Sequence, residues 1–346
     1  MDIAYDYSGV YNSLSDDAIR RLDEMGINAA DANLLSHLSF EDVMGQLANM
    51  AGESFNNPLK GLVTVIAVLI LCAMLSAYRS SLSDDIGATV NTAASLCISC
   101  ALAAPAISYI GGAGGIISHS ANMFLAYVPV VAVMLAASGK GISGAGYHAS
   151  MIAAGQGVSR VCADMILPFM NVFLGVSITS GISNEVRLNS FLSLISKTVK
   201  WLLAFVMTVF TAVLSMRQIA AGAVDSVASR TAKFALSSFV PVVGGALGEA
   251  YKSVQSSITL LKSGLGIFVI IAIAVTFLPT VLQGLGWSFC IFIGKAVAEA
   301  LGIDGCAKLL EAIGTVFSTM IAVLLCVMSV FIIATAAAFT IGGEGS

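Results

Sequence analysis

Four charged residues interrupt otherwise apolar sequence: Arg160 with Asp164, and Lys295 with Glu299, each pair four residues apart. On a helix that spacing puts both members on one face. A charge inside hydrocarbon is costly, so such a pair would face a bundle interior or a water-lined path, where it could hold a solute or relay a proton. At a membrane edge the same residues are snorkelling side chains with ordinary i, i+4 partners. Both expectations stand for each pair. Cys97 and Cys100 have redox or metal-site spacing, but they lie in Ala/Leu/Ile-rich sequence with no second pair. That context reads as small apolar residues of a membrane helix, with no metal. His119 and His148 have no carboxylate nearby and read as interface residues. No nucleotide loop, zincin motif or triad spacing occurs, so neither a catalytic residue nor a cofactor is expected, and the chain reads as non-enzymatic.

The elements that position these residues follow from composition. The chain has 346 residues, 58% hydrophobic and 10% charged, and a mean hydropathy of +0.93. Soluble domains carry about 25% charged residues, so an ordinary soluble enzyme, a disordered chain and a nucleic-acid binder are excluded. Charge is also unevenly placed. Residues 1–60 hold three basic residues against ten acids, a net −7, and residues 61–346 hold thirteen against ten, a net +3. All seven cysteines lie in the second part, so no disulfide framework places the first. The expected fold is an all-α polytopic integral membrane protein, with an acidic helical head over 1–60 and a multi-span domain over 61–346.

In the head, Ser15 caps a helix over about 16–25, with Asp16 and Asp17 in its first turn. Ala18, Ile19, Leu22 and Met25 form its apolar stripe, Leu14 and Ile19 a staple, and Gly26 the stop. Ser39 starts a second amphipathic helix from Phe40 to about Ala51, before Pro58 leads into the first span.

The body shows eight apolar segments, corresponding to six to eight spans. They are 61–78; 86–110, followed by a flexible turn at Gly111–Gly115; 119–138; a short half-helix at 147–157 feeding 165–182; 201–219; 263–282; 286–301; and 314–341. Stretches 183–200 and 224–262 are amphipathic and read as interfacial. Gly244 and Gly248 form a GxxxG beside Pro241, suited to close helix contact within one subunit, between subunits or along a pore. With eight crossings, placing the head outside puts eight basic residues on the cytoplasmic side and four outside, which favours head-out.

Several stretches resemble a known family. Ser229-Arg230-Thr231-Ala232-Lys233-Phe234, followed by Ser238-Phe239-Val240-Pro241-Val242-Val243-Gly244, is similar to the most recognisable segment of the stage III sporulation protein AE family. Tyr127-Val128-Pro129-Val130-Val131 with Met134–Gly139, Met165-Ile166-Leu167-Pro168, and the helix running into Pro58-Leu59-Lys60 resemble other parts of it. The resemblance covers roughly residues 40–341. Members generally begin with a signal peptide. Met1–Asp6 has neither a basic segment nor an apolar core. Either the first internal span takes the chain into the membrane or a leader has been removed, and removal fits a head-out orientation.

The resemblance implies a place in the envelope-spanning sporulation complex that joins mother cell and forespore. The chain would sit in the mother-cell-derived outer forespore membrane, beside other stage III sporulation A-operon proteins. Across the intermembrane space it would meet the stage II sporulation protein Q. Within such an assembly it would be a non-enzymatic conduit, export gate or pore-less scaffold, as an oligomer or hetero-complex in the lipid bilayer, with no nucleic-acid partner. The alternative is a self-sufficient secondary transporter for a small solute, with its site at the broken helix before Arg160 and Asp164.

Overall fold

Apolar sequence in hydrocarbon must satisfy its backbone within each segment, and helices do so without help from neighbours. The computed structural model describes residues 8–11, 13–26, 40–77, 84–137, 141–182, 191–213, 215–216 and 244–343, and they are helical almost throughout. We number the helices α1 (Ser8–Tyr11), α2 (Asp16–Glu24), α3 (Phe40–Ala77), α4 (Asp84–Ala137), α5 (Gly141–Arg160), α6 (Leu167–Ile182), α7 (Phe191–Val213), α8 (Gly244–Ala300) and α9 (Asp304–Gly343). A π turn over Val161–Ile166 joins α5 to α6 without a break. Among the described residues, six helical stretches are long and apolar enough to cross a membrane: 48–75, 92–137, 144–180, 191–213, 265–300 and 304–337. The protein is an all-α, multi-pass membrane protein.

The head follows its sequence signals closely. Ser15 accepts a hydrogen bond from the Ala18 amide at 3.3 Å, Ala18 and Leu22 are buried, and Gly26 ends the helix at φ +67°. Tyr11 donates to Asp23, and that bond raises the Tyr11 phenol above its ordinary pKa. Arg21 reaches Glu53 on α3 at 3.2 Å, and Tyr11 stacks on Phe268 of α8 with ring centroids 6.5 Å apart, so the head is seated on the body. Ser39 lies outside the described residues.

Four expected boundaries are replaced by continuous helix. Pro58 does not separate an interfacial helix from the first span; both are α3. The Gly111–Gly115 turn is an interior stretch of the 54-residue α4. The break before Gly286 lies within the 57-residue α8. The fifth span starts ahead of Trp201, because Leu192 and Ile195 continue in phase as Val199, Leu203 and Phe210, all buried. The cause is shared: glycine and proline loosen helices where water can take the freed backbone groups, and the bilayer offers none. Two of these corrections remove turns on which the eight-to-four count of basic residues depended. That count no longer assigns the head to a side.

Glycines inside these helices serve as notches instead. A β-carbon at Gly61 would run into Trp287, and one at Gly284 into the Tyr109 hydroxyl. One at Gly114 would lie 2.6 Å from Leu167 Cδ1, and one at Gly144 would lie 2.8 Å from the Ala132 carbonyl oxygen. Side-chain-poor positions let helices approach closely where no hydrophobic force separates helix from lipid. Ser54 adds a polar link, its hydroxyl donating to the Pro279 carbonyl at 3.1 Å.

Helix α9 is the centre of the bundle and packs on α8, α6, α4 and α5. Ser196 of α7 lies 3.4 Å from Thr319 of α9, hydroxyl to hydroxyl. Phe331 of α9 meets Phe124 at 4.9 Å and Phe277 at 6.4 Å, and Phe317 meets Tyr109 at 5.1 Å and Trp287 at 5.7 Å. Gly302 closes the α8–α9 hairpin at φ +71°. The Gly302 amide bonds the Glu299 carbonyl and the Ile303 amide the Ala298 carbonyl, with Ile303 buried: a Schellman stop.

Candidate functional site

The α5–α6 stretch builds the most unusual surface. Pro168 has no amide hydrogen to give the Asp164 carbonyl, and its ring crowds that oxygen. The turn before it widens accordingly, and the Leu167 amide bonds the Cys162 carbonyl, five residues back. Such π turns are rare and frequent at functional sites. Arg160 and Asp164 straddle Cys162, the midpoint of the span at 144–180. Cys162, Ile166, Met170 and Phe173 are buried, whereas Arg160 and Asp164 face outward.

Arg160 and Asp164 form no ion pair with each other or with any other described residue. The π turn joins α5 to α6 without interrupting the helix. The expected half-helix is thus part of an unbroken span. The split-helix site proposed for a transporter is not formed at this point. Exposed residues extend the same face along the span: Gly157, Arg160, Asp164, Pro168, Asn171, Gly175 and Thr179. A charge left facing lipid at mid-depth costs about 2.5–3.5 kcal/mol on insertion scales.

The second charged pair is different. Lys295 lies 3.7 Å from Glu299 and 3.0 Å from Glu311, across the hairpin turn on α9. Both glutamates are more than half exposed, and the cluster sits at the closed end of the α8–α9 hairpin. It clasps two helix ends. Glu311 was not singled out from the sequence; the signal was there in Gly302, the turn that folds position 311 back beside position 295.

Gly244 and Gly248 fall in the first turns of α8, while Arg230, Lys233 and Pro241 lie outside the described residues. Cys97 and Cys100 are exposed on α4, and His119 is exposed within that helix rather than at its edge. No group of three His, Cys, Asp or Glu side chains converges as a metal site among the described residues. A polar hollow of about 270 Å³ lies where α2 meets α3, lined by Arg20, Arg21, Glu24, Gln46, Asn49 and Glu53.

No solved structure matches the chain. It is similar to the stage III sporulation protein AE of Bacillus subtilis (strain 168), 25% identical over 248 residues that cover 70% of this chain and 61% of the relative. The chain therefore aligns with less than two thirds of that relative's length. Residues 32–342 match the family described as stage III sporulation protein AE, a stretch that includes all six apolar helices and the Arg160/Asp164 face. The chain belongs to the stage III sporulation protein AE family.

Proposed function

We propose that this chain is a non-enzymatic membrane subunit of the sporulation complex that connects mother cell and forespore, working as a conduit or export component. The observation that carries it is the family match across the whole membrane domain. The outward-facing, unpaired charges at mid-span support it further, because a chain surrounded only by lipid would leave them uncompensated. The membrane is the mother-cell-derived outer forespore membrane, and the partners are other stage III sporulation A-operon proteins and, across the gap, the stage II sporulation protein Q. The acidic head, net −7, faces the intermembrane space, where it and the hollow at the α2–α3 junction are available to those partners. The GxxxG at Gly244 and Gly248, with Arg230, Lys233 and Pro241 before it, supplies a further helix contact within the assembly.

Deleting the gene in its endospore-forming host should leave engulfed forespores without late forespore gene expression and without heat-resistant spores, and a restored copy should reverse both. Purified chain in proteoliposomes should move no small solute against its gradient. Normal sporulation of the deletion strain, or concentrative uptake by the chain alone, would overturn the proposal.

A further inference from the structure

We infer that the α5–α6 face is where two copies of this chain associate side by side in the bilayer, Arg160 of each pairing with Asp164 of the other. The inference rests on the chain being a subunit rather than a lone transporter, and it names one of its neighbours. The face carries one positive and one negative group, one turn apart, with no partner among the described residues. It is therefore complementary to itself. Two copies related by a two-fold axis along the bilayer normal lie at equal depth, so Arg160 of one stands about 6 Å along the axis from Asp164 of the other. An arginine side chain spans that interval, and the symmetry forms the pair twice.

The rest of the face suits such a contact. Gly157 and Gly175 lie on either side of the charges and are exposed, and a β-carbon at either position meets nothing within 4 Å. They leave room for a second backbone to come close. Asn171 and Thr179, also exposed, add hydrogen-bonding groups along the same line.

The test uses the full-length protein in detergent and in nanodiscs. Wild type should be dimeric by mass photometry. R160D and D164R alone should each lower the dimer fraction at least tenfold, because each makes a like-charged face. Differently tagged R160D and D164R copies expressed together should co-purify as a restored heterodimer. With the seven native cysteines replaced by alanine or serine, Gly175→Cys, which alters no charge, should form a disulfide-linked dimer on oxidation in membranes, and this holds whether or not the charge variants fold well. A monomeric wild type, single reversals that stay dimeric, or a Gly175→Cys disulfide to another protein in place of a second copy would each overturn the inference. A monomeric protein whose deletion still blocks sporulation removes the pairing and leaves the proposed function. A dimer whose deletion leaves sporulation intact does the reverse.

Discussion

The Lys295 ammonium serves two carboxylates at unequal distances, 3.0 Å to Glu311 and 3.7 Å to Glu299. The nearer pair joins two helices across a turn, whereas the farther pair lies along one helix whose backbone already fixes both ends. Losing the inter-helix partner releases more. Glu311→Gln should therefore lower the melting temperature of the purified protein more than Glu299→Gln, with Lys295→Met at least as low as Glu311→Gln; equal melting for both glutamine variants would contradict the hub. At this scale, sequence shows spacing but not partnership. Lys295 and Glu299 were legible as a pair because an ordinary helix keeps positions four apart adjacent. Arg160 and Asp164 have identical spacing, yet they form no ion pair with each other. Glu311 lies sixteen residues away, and its contact shows in the sequence only through Gly302, the glycine that closes the hairpin.

Glycine does opposite work at different positions of these helices. Gly144 sits where a β-carbon would meet the Ala132 carbonyl oxygen at 2.8 Å, a backbone atom that cannot turn aside, whereas Gly112 has nothing within 4 Å. Gly144→Ala should prise the start of α5 from α4 and cost roughly 1–3 kcal/mol, the usual range for overpacking. Gly112→Ala should be neutral or slightly stabilising, since alanine is the better helix former. Thermal unfolding of both variants in one detergent separates the cases, and an unaffected Gly144→Ala protein would deny the close α4–α5 contact. Helix ends written in local chemistry were readable from sequence: Ser15 caps α2 and Gly26 stops it, as their types require. Helix continuity was not. The rule that a glycine run makes a turn assumes water ready to take the freed backbone groups, and Gly111–Gly115 lies inside the apolar span at 92–137.

The span at 92–137 contains 46 residues, about 69 Å of helix against a hydrocarbon core of about 30 Å. Even a 40° tilt leaves it far longer than the membrane is thick, so part of its apolar surface lies beyond the hydrocarbon and needs protein cover. The bundle supplies it, since α5, α6, α8 and α9 all pack on α4. This length decides the topology. If the chain turned at Gly111–Gly115, Ala137 would follow three crossings and lie on the side opposite the head, and Gly112 would sit in water. With α4 unbroken, Ala137 follows two crossings and shares the head's side, and Gly112 lies within the membrane. The seven native cysteines, Cys97 and Cys100 exposed among them, are first replaced by alanine or serine, so that each introduced cysteine reports its own side. In sealed, oriented vesicles, a membrane-impermeant maleimide should label Asp17→Cys and Ala137→Cys from the same side and leave Gly112→Cys unlabelled. Labelling of Gly112→Cys together with Ala137→Cys on the far side would restore the turn and split α4 in two. That would also move Arg160 and Asp164 to a different depth, so the α4 result bears directly on whether their shared face lies at the level where a second copy must cover it.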